Sequence, residues 1–287
     1  MSSSTRPVIV RMPPSPTGFL HLGTARTVLF NYLFAKSQQG KIVFRWEDTD
    51  RERSKTEFEE EILQGLSWLG MDFLAEETEF QRQTENTEFH QTQLQKLWEE
   101  GKVFPCFLTT EEIDAQREAA QKAKTNFILW SPSRDKSKEE LETQMNSGNP
   151  YVWRLKVPQD REITWNDSIR GDVTINASTL GDFTVARADG SVLYPLANVL
   201  DDWQQEISHV IRGEDHIYNT PKQLLIWEAL NADAPEYGHI PLVLNHAGAK
   251  LSKRNVEPGV CILVQDFRAQ GFVPQAVING LAFLGWH

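Results

Sequence analysis

Four short stretches of the chain combine residue types that could bind a phosphorylated ligand and an amino acid. The first covers residues 11–24 and reads RMPPSPTGFLHLGT. Gly18 and Gly23 let the backbone approach a ligand closely, and His21 could donate a hydrogen bond to a phosphoryl oxygen. At the start of a helix, unpaired N–H groups and the positive dipole end would also suit phosphate. The stretch lacks the glycine spacing of a dinucleotide loop and the Gly-Lys-Ser/Thr of a P-loop, so an ordinary proline-rich turn would also explain it.

The second stretch, residues 250–254, reads KLSKR and lies in a glycine-flanked loop. Its closely spaced cations could hold a polyphosphate. A solvated basic turn is the commoner fate of such a run and stays open as an alternative.

The third stretch, residues 45–51, reads RWEDTDR. Glu47 follows a predicted strand at its carboxyl end, the side of an open parallel sheet where ligands bind. A carboxylate there could hold an ammonium group, although a charged loop with local ion pairs would also explain it.

The fourth stretch combines YPLAN at 194–198 with HVIRGEDH at 209–216. Arg212 ends a predicted strand, and its guanidinium group matches a carboxylate in fork geometry. The alternative for Arg212 is a structural ion pair with Glu214 or Asp215.

The elements around these stretches follow from hydrophobic periodicity and from glycine and proline positions. Short apolar or β-type runs predict strands at 8–10, 42–44, 151–155, 163–165, 173–175, 210–211 and 242–244. Helical spacing predicts helices through 28–33, at 58–69, 84–100, 109–123 and 137–147, after Thr220 as a cap, and at 264–271 and 274–285. The pattern predicts an α/β fold whose parallel sheet is interrupted by an α+β insertion. The predicted division is 1–75 and 181–260 for the two halves of the nucleotide-binding fold, 76–180 for the insertion and 261–287 for a helical region.

Composition excludes several classes of protein. Lys plus Arg is 29 and Asp plus Glu is 40, which gives a net charge of −11 over 287 residues. This acidic balance argues against sequence-independent coating of nucleic acid but allows a local basic groove. The sequence contains no run of about 18 apolar residues, so it predicts no membrane span. With only Cys106 and Cys261, a disulfide scaffold is excluded, and we expect a reducing cytoplasm.

The four stretches, taken together and in this order, closely resemble the catalytic part of the bacterial-type glutamyl-tRNA synthetases, which are class I aminoacyl-tRNA synthetases. The resemblance covers about residues 6–287 and is weakest from about 115 to 180. It implies a Rossmann-type catalytic domain split by an insertion that binds the tRNA acceptor stem. It also implies that glutamate and ATP form glutamyl-adenylate, whose glutamyl group passes to the 3′ end of tRNA(Glu).

The resemblance also implies roles for individual residues. The glutamate-binding positions are Arg11, Ser15, Glu47, Tyr194, Asn198 and Arg212. The ATP-binding positions are Pro14, Thr17, Gly18, His21, Gly23, Thr24, Asp215, Lys250, Leu251, Ser252, Lys253 and Arg254. Of these, His21, Lys250 and Lys253 are implied to be catalytic, with Lys253 stabilising the triphosphate and the departing pyrophosphate. Mg²⁺ is expected with the nucleotide, and which arginine binds which glutamate carboxylate stays open.

Some features depart from the family pattern. Pro13 and Trp46 stand where alanine and isoleucine are usual, which predicts an altered pocket shape. Only Cys106 remains of a Cys-x-Cys zinc pattern, so we expect no zinc.

The chain ends 33 residues after Arg254 (287 − 254), which leaves three interpretations. One is a catalytic fragment of a glutamyl-tRNA synthetase. Another is the short paralogue that charges queuosine in tRNA(Asp), and a catalytically inactive binding paralogue is a third possibility. Thr24 and the missing zinc cysteines favour the first. We expect a cytoplasmic monomer without membrane contact.

Overall fold

The computed structural model describes residues 7–76, 78–245, 248–251 and 261–285. Ser252, Lys253 and Arg254 therefore lie outside the described residues. The β-strands within these ranges are β1 Ile9–Met12, β2 Lys41–Trp46, β3 Glu79–Arg82, β4 Val103–Cys106, β5 Val152–Leu155, β6 Glu162–Asp167, β7 Gly171–Asn176, β8 Thr184–Arg187, β9 His209–Gly213 and β10 Glu236–Ile240. The α-helices are α1 Leu22–Ser37, α2 Thr56–Trp68, α3 Thr87–Glu99, α4 Thr110–Lys122, α5 Lys138–Asn146, α6 Tyr194–Gln204, α7 Thr220–Ala229, α8 Val264–Ala269 and α9 Pro274–Phe283.

The main sheet has seven strands in the order β3-β2-β1-β9-β10-β6-β7. Its neighbouring strands are parallel except for β6 and β7, which pair antiparallel. The predicted α/β fold with a parallel sheet is confirmed. A separate three-stranded antiparallel sheet has the order β4-β5-β8.

Both faces of the main sheet are covered, as expected for parallel strands joined by helical crossovers. Consecutive residues of β2 illustrate this. Phe44 packs in a core with residues of α1, α2 and α9, whereas Val43 packs in a second core with Val210 and Tyr237. A third core joins the small sheet to α6 and α7.

The order of the strands creates a switch point beside β1. From β1 the chain runs through α1 to β2 on one side, while β9 pairs with β1 on the other side. At such a point the loops after the two strands diverge, and a crevice opens at their carboxyl ends. This crevice holds the candidate site described below.

The strands cut across the predicted insertion at 76–180. β3, β6 and β7 fall inside that range but pair with the main sheet, while β8 falls outside it and pairs in the small sheet. The small sheet with α3, α4 and α5 is the part that stands apart from the parallel sheet. The division into ranges stays a prediction.

Two local predictions are wrong. Residues 242–244 are not a strand, because only Leu244 forms an isolated bridge, to Lys250. The strand is β10, which ends just before Pro241; proline has no N–H with which to continue a ladder. Thr220 is the first residue of α7 rather than its cap, and its hydroxyl accepts a hydrogen bond from Arg212 instead.

None of the described helices is long and apolar enough to cross a membrane.

Candidate active site

A cavity of about 500 Å³ opens at the carboxyl ends of β1 and β9 and is bounded by the start of α1. Each of the six predicted glutamate positions lines it: Arg11, Ser15, Glu47, Tyr194, Asn198 and Arg212. The predicted ATP positions within the described chain line the same cavity, and they are Pro14, Thr17, Gly18, His21, Gly23, Thr24, Asp215, Lys250 and Leu251. The fold therefore brings the four stretches together around one space.

Arg11 is held at the end of β1 by a buried acidic residue of α6. Its Nε donates to both carboxylate oxygens of Asp202, at 3.2 and 3.3 Å. Arg45 of β2 is completely buried and donates from Nη1 to the same carboxylate at 2.8 Å. Asp202 accepts hydrogen bonds from both guanidinium groups. The direction of the Arg11 side chain is therefore set by tertiary contacts rather than by its own strand.

Glu47 supplies the carboxylate of the cavity wall. Its Oε1 accepts a hydrogen bond from Asn198 Nδ2 at 2.8 Å, and Asn198 Oδ1 in turn accepts from Gln223 at 3.0 Å. Burial raises the pKa of Glu47, although Arg45 and Arg11 act in the opposite direction. A ligand ammonium placed beside this carboxylate would stabilise its ionised form.

Arg212 is a buried cation without a carboxylate partner among the described residues. Its Nε donates to His239 at 3.1 Å and its Nη2 to Thr220 at 2.8 Å. Within the described part of the chain, Nη1 is buried and has no hydrogen-bond partner. A buried donor of this kind is costly unless a ligand meets it, so the wall of the cavity favours an anion here. The structural pairs considered for Arg212 are absent from these residues, since Arg170 pairs with Glu214 and Lys250 with Asp215.

The start of α1 forms the other side of the cavity. His21 is the N-cap residue, and its Nδ1 accepts from Gly23 N at 3.0 Å. A neutral ring bonded in this way carries its proton on Nε2. The expectation of unpaired N–H groups here is wrong for two positions, because Leu22 N donates to Ile262 O and Gly23 N donates to His21. The dipole end of α1 and the His21 ring remain as the phosphate-directed features.

Asp215 and Lys250 pair across the mouth of the cavity at 2.5 Å. The Lys250 contact lowers the pKa of Asp215, although burial opposes it. Gly213 lies beside this pair, and a Cβ there would lie 2.5 Å from Asp215 Oδ1, so a larger residue would displace the Asp215 side chain. His216 also lines the cavity, and burial together with Arg212 lowers its pKa to about 4, so its ring is neutral at pH 7.

Several residues of the site were not predicted from the sequence. Arg26 lines the cavity and is buried, and its Nη1 donates to Pro241 O at 2.5 Å. Asp202 contacts Arg11 and His239 contacts Arg212, but neither of them lines the cavity. The available signal for Arg26 was its position two residues after the first stretch, whereas nothing in the local sequence points to the other two.

Pro13 and Trp46, the two residues that depart from the family pattern, lie in different environments. Pro13 lines the cavity, as expected. Trp46 does not line it, because its ring packs on Phe44 in the apolar core, with centroids 4.8 Å apart. Strand alternation directs the Trp46 side chain into the core, so it is not part of the cavity wall, and its effect on the shape of the pocket stays a prediction.

Metal-ligating side chains do not cluster in the part of the chain that the structure describes. No group of three or more His, Cys, Asp and Glu side chains there could hold an ion. Cys106 is buried and accepts a hydrogen bond from Ser131 at 3.2 Å. The absence of zinc stays a prediction.

The arrangement suits two ligand groups at once. One end offers a carboxylate beside two guanidinium groups, which is the complement of a zwitterionic amino acid with a second acid group. The other end offers a helix N-terminus, an imidazole N–H and an ammonium group, which complement phosphate.

Comparisons with known proteins agree with this geometry. The family described as "tRNA synthetases class I (E and Q), catalytic domain" matches residues 7–287. The chain is 47% identical over 276 residues to a glutamate–tRNA ligase of Coprothermobacter proteolyticus, which is 96% of this chain and 58% of that protein. It is 44% identical over 279 residues to that of Aquifex aeolicus, covering 97% of this chain and 57% of the relative.

A solved structure gives the same result. The glutamate tRNA ligase from Elizabethkingia meningosepticum, crystallised in complex with its amino acid, superposes with a TM-score of 0.87 at 34% identity. The match covers 98% of this chain and 61% of that one, so the chain spans less than two thirds of the length of these relatives. With a family match across nearly its whole length, the chain belongs to the class I tRNA synthetases for glutamate and glutamine, in their catalytic domain.

Proposed function

We propose that this chain activates L-glutamate with ATP and transfers the glutamyl group to the 3′ end of tRNA(Glu). The observation that carries the proposal is that Glu47, Arg212, His21 and Lys250 line the same cavity. Glutamate and a nucleoside triphosphate bound in this cavity would lie next to each other.

The first step is an in-line displacement at the α-phosphorus. An oxygen of the glutamate α-carboxylate supplies the electron pair for the new P–O bond, and the bond to the β-phosphate oxygen breaks. Pyrophosphate leaves with that electron pair. The protein needs no nucleophile of its own, so its contribution is positioning and stabilisation of charge that develops on the phosphates.

In this proposal Glu47 binds the ammonium group and the two arginines bind the carboxylates. His21 donates from Nε2 to a phosphate oxygen, and Lys250 with Lys253 neutralises the leaving pyrophosphate. Mg²⁺ arrives on the ATP phosphates, consistent with its preference for phosphate and water oxygens over an all-protein cage.

Selection against glutamine follows from the donors in the cavity. A carboxylate can accept hydrogen bonds from both Arg11 and Arg212, whereas glutamine has only one side-chain oxygen and would place its amide N–H groups against the N–H groups of one arginine. A site built for one hydrogen-bond pattern rejects the wrong pattern strongly because buried polar groups are left unpaired.

The second step passes the glutamyl group from the adenylate to a ribose hydroxyl of the terminal adenosine, with release of AMP. We propose the small sheet with α3, α4 and α5 as the part that contacts the acceptor stem, and the cytoplasm, where tRNA is charged, as the site of action. We propose a monomer as the working form.

Exchange of labelled pyrophosphate into ATP tests the first step, with glutamate, with glutamine or without an amino acid, and with or without tRNA(Glu). We expect glutamate-dependent exchange and no exchange with glutamine. Exchange that does not depend on glutamate in either arm would reject the proposal.

Transfer of labelled glutamate tests the second step and separates it from the queuosine alternative. A label on tRNA(Glu) that mild alkali removes supports a 3′ ester. A label found only on queuosine-containing tRNA(Asp) would favour the paralogue, although relatives that carry the glutamate–tRNA ligase name support the first outcome.

A further inference from the structure

Behind Arg212 lies a buried chain of hydrogen bonds that does not line the cavity. Arg212 of β9 and His239 of β10 stand opposite each other in the register of two parallel strands. Asp167, at the end of β6, stands behind His239, and both side chains are fully enclosed. Three neighbouring strands of the main sheet therefore contribute one residue each to a line that ends at the cavity wall.

The hydrogen bonds locate the protons along this line. Asp167 Oδ1 accepts from the backbone N–H groups of Ile169, Arg170 and His239, at 3.1, 3.0 and 3.1 Å. Its Oδ2 lies 2.5 Å from His239 Nδ1. Burial opposes ionisation of Asp167, but these hydrogen bonds lower its pKa, so Oδ2 is an acceptor and Nδ1 carries the proton.

With its proton on Nδ1, the His239 ring presents a lone pair on Nε2. Arg212 Nε donates to that lone pair at 3.1 Å. The Thr220 hydroxyl accepts from Arg212 Nη2 at 2.8 Å and lies 3.1 Å from His239 Nε2. Burial and the Arg212 charge lower the pKa of His239, which keeps the ring neutral and the lone pair available.

This closed set of bonds uses Nε and Nη2 of the guanidinium group. The nitrogen left for a ligand is Nη1, which has no partner among the described residues. A guanidinium group fastened at two of its nitrogens cannot swing, so the third points in one direction only.

We propose that Asp167 and His239 are positioning residues that fix the tautomer and the lone pair needed to hold Arg212 on the substrate carboxylate. The inference rests on the proposed function, because it assigns the partner of Nη1 to glutamate. It is the same device by which a carboxylate orients a histidine toward a metal or a nucleophile, here directed at a guanidinium group. Neither residue touches the substrate.

Three substitutions separate this role from simple packing. His239→Leu removes the acceptor for Arg212. His239→Gln restores an acceptor oxygen near the position of Nε2. Asp167→Asn keeps the shape, but the three backbone N–H groups hold its oxygen in place and turn its NH₂ group toward His239. The proton then moves to Nε2, where it faces the N–H of Arg212.

We expect His239→Leu and Asp167→Asn to raise the glutamate KM in the exchange reaction at least 10-fold, with the ATP KM within twofold of wild type. We expect His239→Gln to stay within threefold of wild type for both substrates. The control is His209→Gln, the same substitution on the adjacent strand and away from the cavity, with unchanged constants.

The ¹⁵N chemical shifts of the His239 ring give a readout independent of activity. We expect a protonated Nδ1 in the wild type and a protonated Nε2 in Asp167→Asn. Thermal unfolding of each variant shows whether it is folded. Should His239→Leu unfold, the test depends on the glutamate KM of the isosteric Asp167→Asn variant and on the ¹⁵N shifts of the wild-type ring.

Three results would overturn the positioning role: a wild-type ring protonated on Nε2, an unchanged glutamate KM in the folded variants, or a His239→Gln variant as impaired as His239→Leu. A wild type that shows no glutamate-dependent exchange would instead reject the proposed function itself. The two failures are therefore distinguishable.

Discussion

Replacing Glu47 by glutamine isolates the charge that we assign to ammonium binding. Asn198 Nδ2 donates to Glu47 Oε1 at 2.8 Å, and Arg45 Nη2 lies 3.6 Å from the same oxygen. A glutamine has nearly the same shape and keeps an acceptor oxygen for Asn198. The substitution therefore removes one negative charge and leaves the wall of the cavity in place.

The magnitude follows from the bond that is lost. A hydrogen bond to a charged group contributes about 1.5–3 kcal/mol, and each 1.36 kcal/mol is a factor of ten. We expect the glutamate KM of Glu47→Gln to rise about 10- to 150-fold on this basis. The ATP KM should change less than threefold, because the phosphate-directed groups lie at the start of α1.

The pH dependence of glutamate binding tests the same assignment of Glu47. Burial raises the pKa of Glu47, and only its ionised form binds an ammonium group. Glutamate affinity of the wild type should therefore fall as the pH is lowered through that raised pKa, while the affinity of Glu47→Gln should not change over the same range.

In the absence of ligand, the contribution of Glu47 to protein stability has the opposite pH dependence. A carboxyl group whose pKa is raised by folding contributes stability below its unfolded pKa, and this is lost as the pH rises through the folded pKa. Glu47→Gln should therefore unfold at a temperature no lower than the wild type at neutral pH.

Exchange kinetics and ligand-induced thermal shifts measure these effects. Glutamate at 100 times its dissociation constant should stabilise the wild type by about 2.7 kcal/mol and should stabilise Glu47→Gln far less at the same concentration. The matched control is Glu79→Gln, which removes the charge of an exposed side chain on β3. A glutamate KM within twofold of wild type in Glu47→Gln, with the control unchanged, would refute the assignment.

Three further predictions address other parts of the cavity. Arg11→Ala should weaken kcat/KM for glutamate by at least ~2 kcal/mol, because it removes a buried charged donor and leaves Asp202 with one arginine fewer; an unchanged value in the exchange assay would contradict this. His216 has a pKa of about 4, so the exchange rate should show no inflection from this ring between about pH 5 and 8, and His216→Gln should keep the wild-type profile over that range. Gly213→Ala would place its Cβ 2.5 Å from Asp215 Oδ1 and push that side chain away from Lys250, so the ATP KM should rise severalfold with little change in the unfolding temperature; an unchanged ATP KM would show that the pair plays no part in nucleotide binding.

Local structure was largely predictable from the sequence where a segment carries its own signals. The helices at 109–123 and 137–147 are confirmed as α4 and α5, and each begins with a capping box that the short-range sequence dictates. The strand at 42–44 is confirmed within β2 because a continuous apolar run is buried on both faces.

Prediction failed where pairing across the sheet decides the structure. β10 contains Gly238 and His239 and has no strong β pattern, yet it is a strand because β9 and β6 pair with it. The apolar residues 242–244 have the better local pattern but follow Pro241 at the edge of the cavity. Burial between two neighbouring strands outweighs local preference in such cases.

The sequence by itself determined which chemical groups are present and in what order: a proline-rich turn that leads to His21, a carboxylate at Glu47 and a guanidinium group at Arg212. Only the tertiary structure decided that they share one cavity and which of their nitrogens and oxygens are already bonded. Arg11 and Asp202 are 191 positions apart, and Asp167 and His239 are 72 apart. Such pairs depend on the register and order of the strands, which are set by long-range burial and hydrogen bonding that no local pattern encodes.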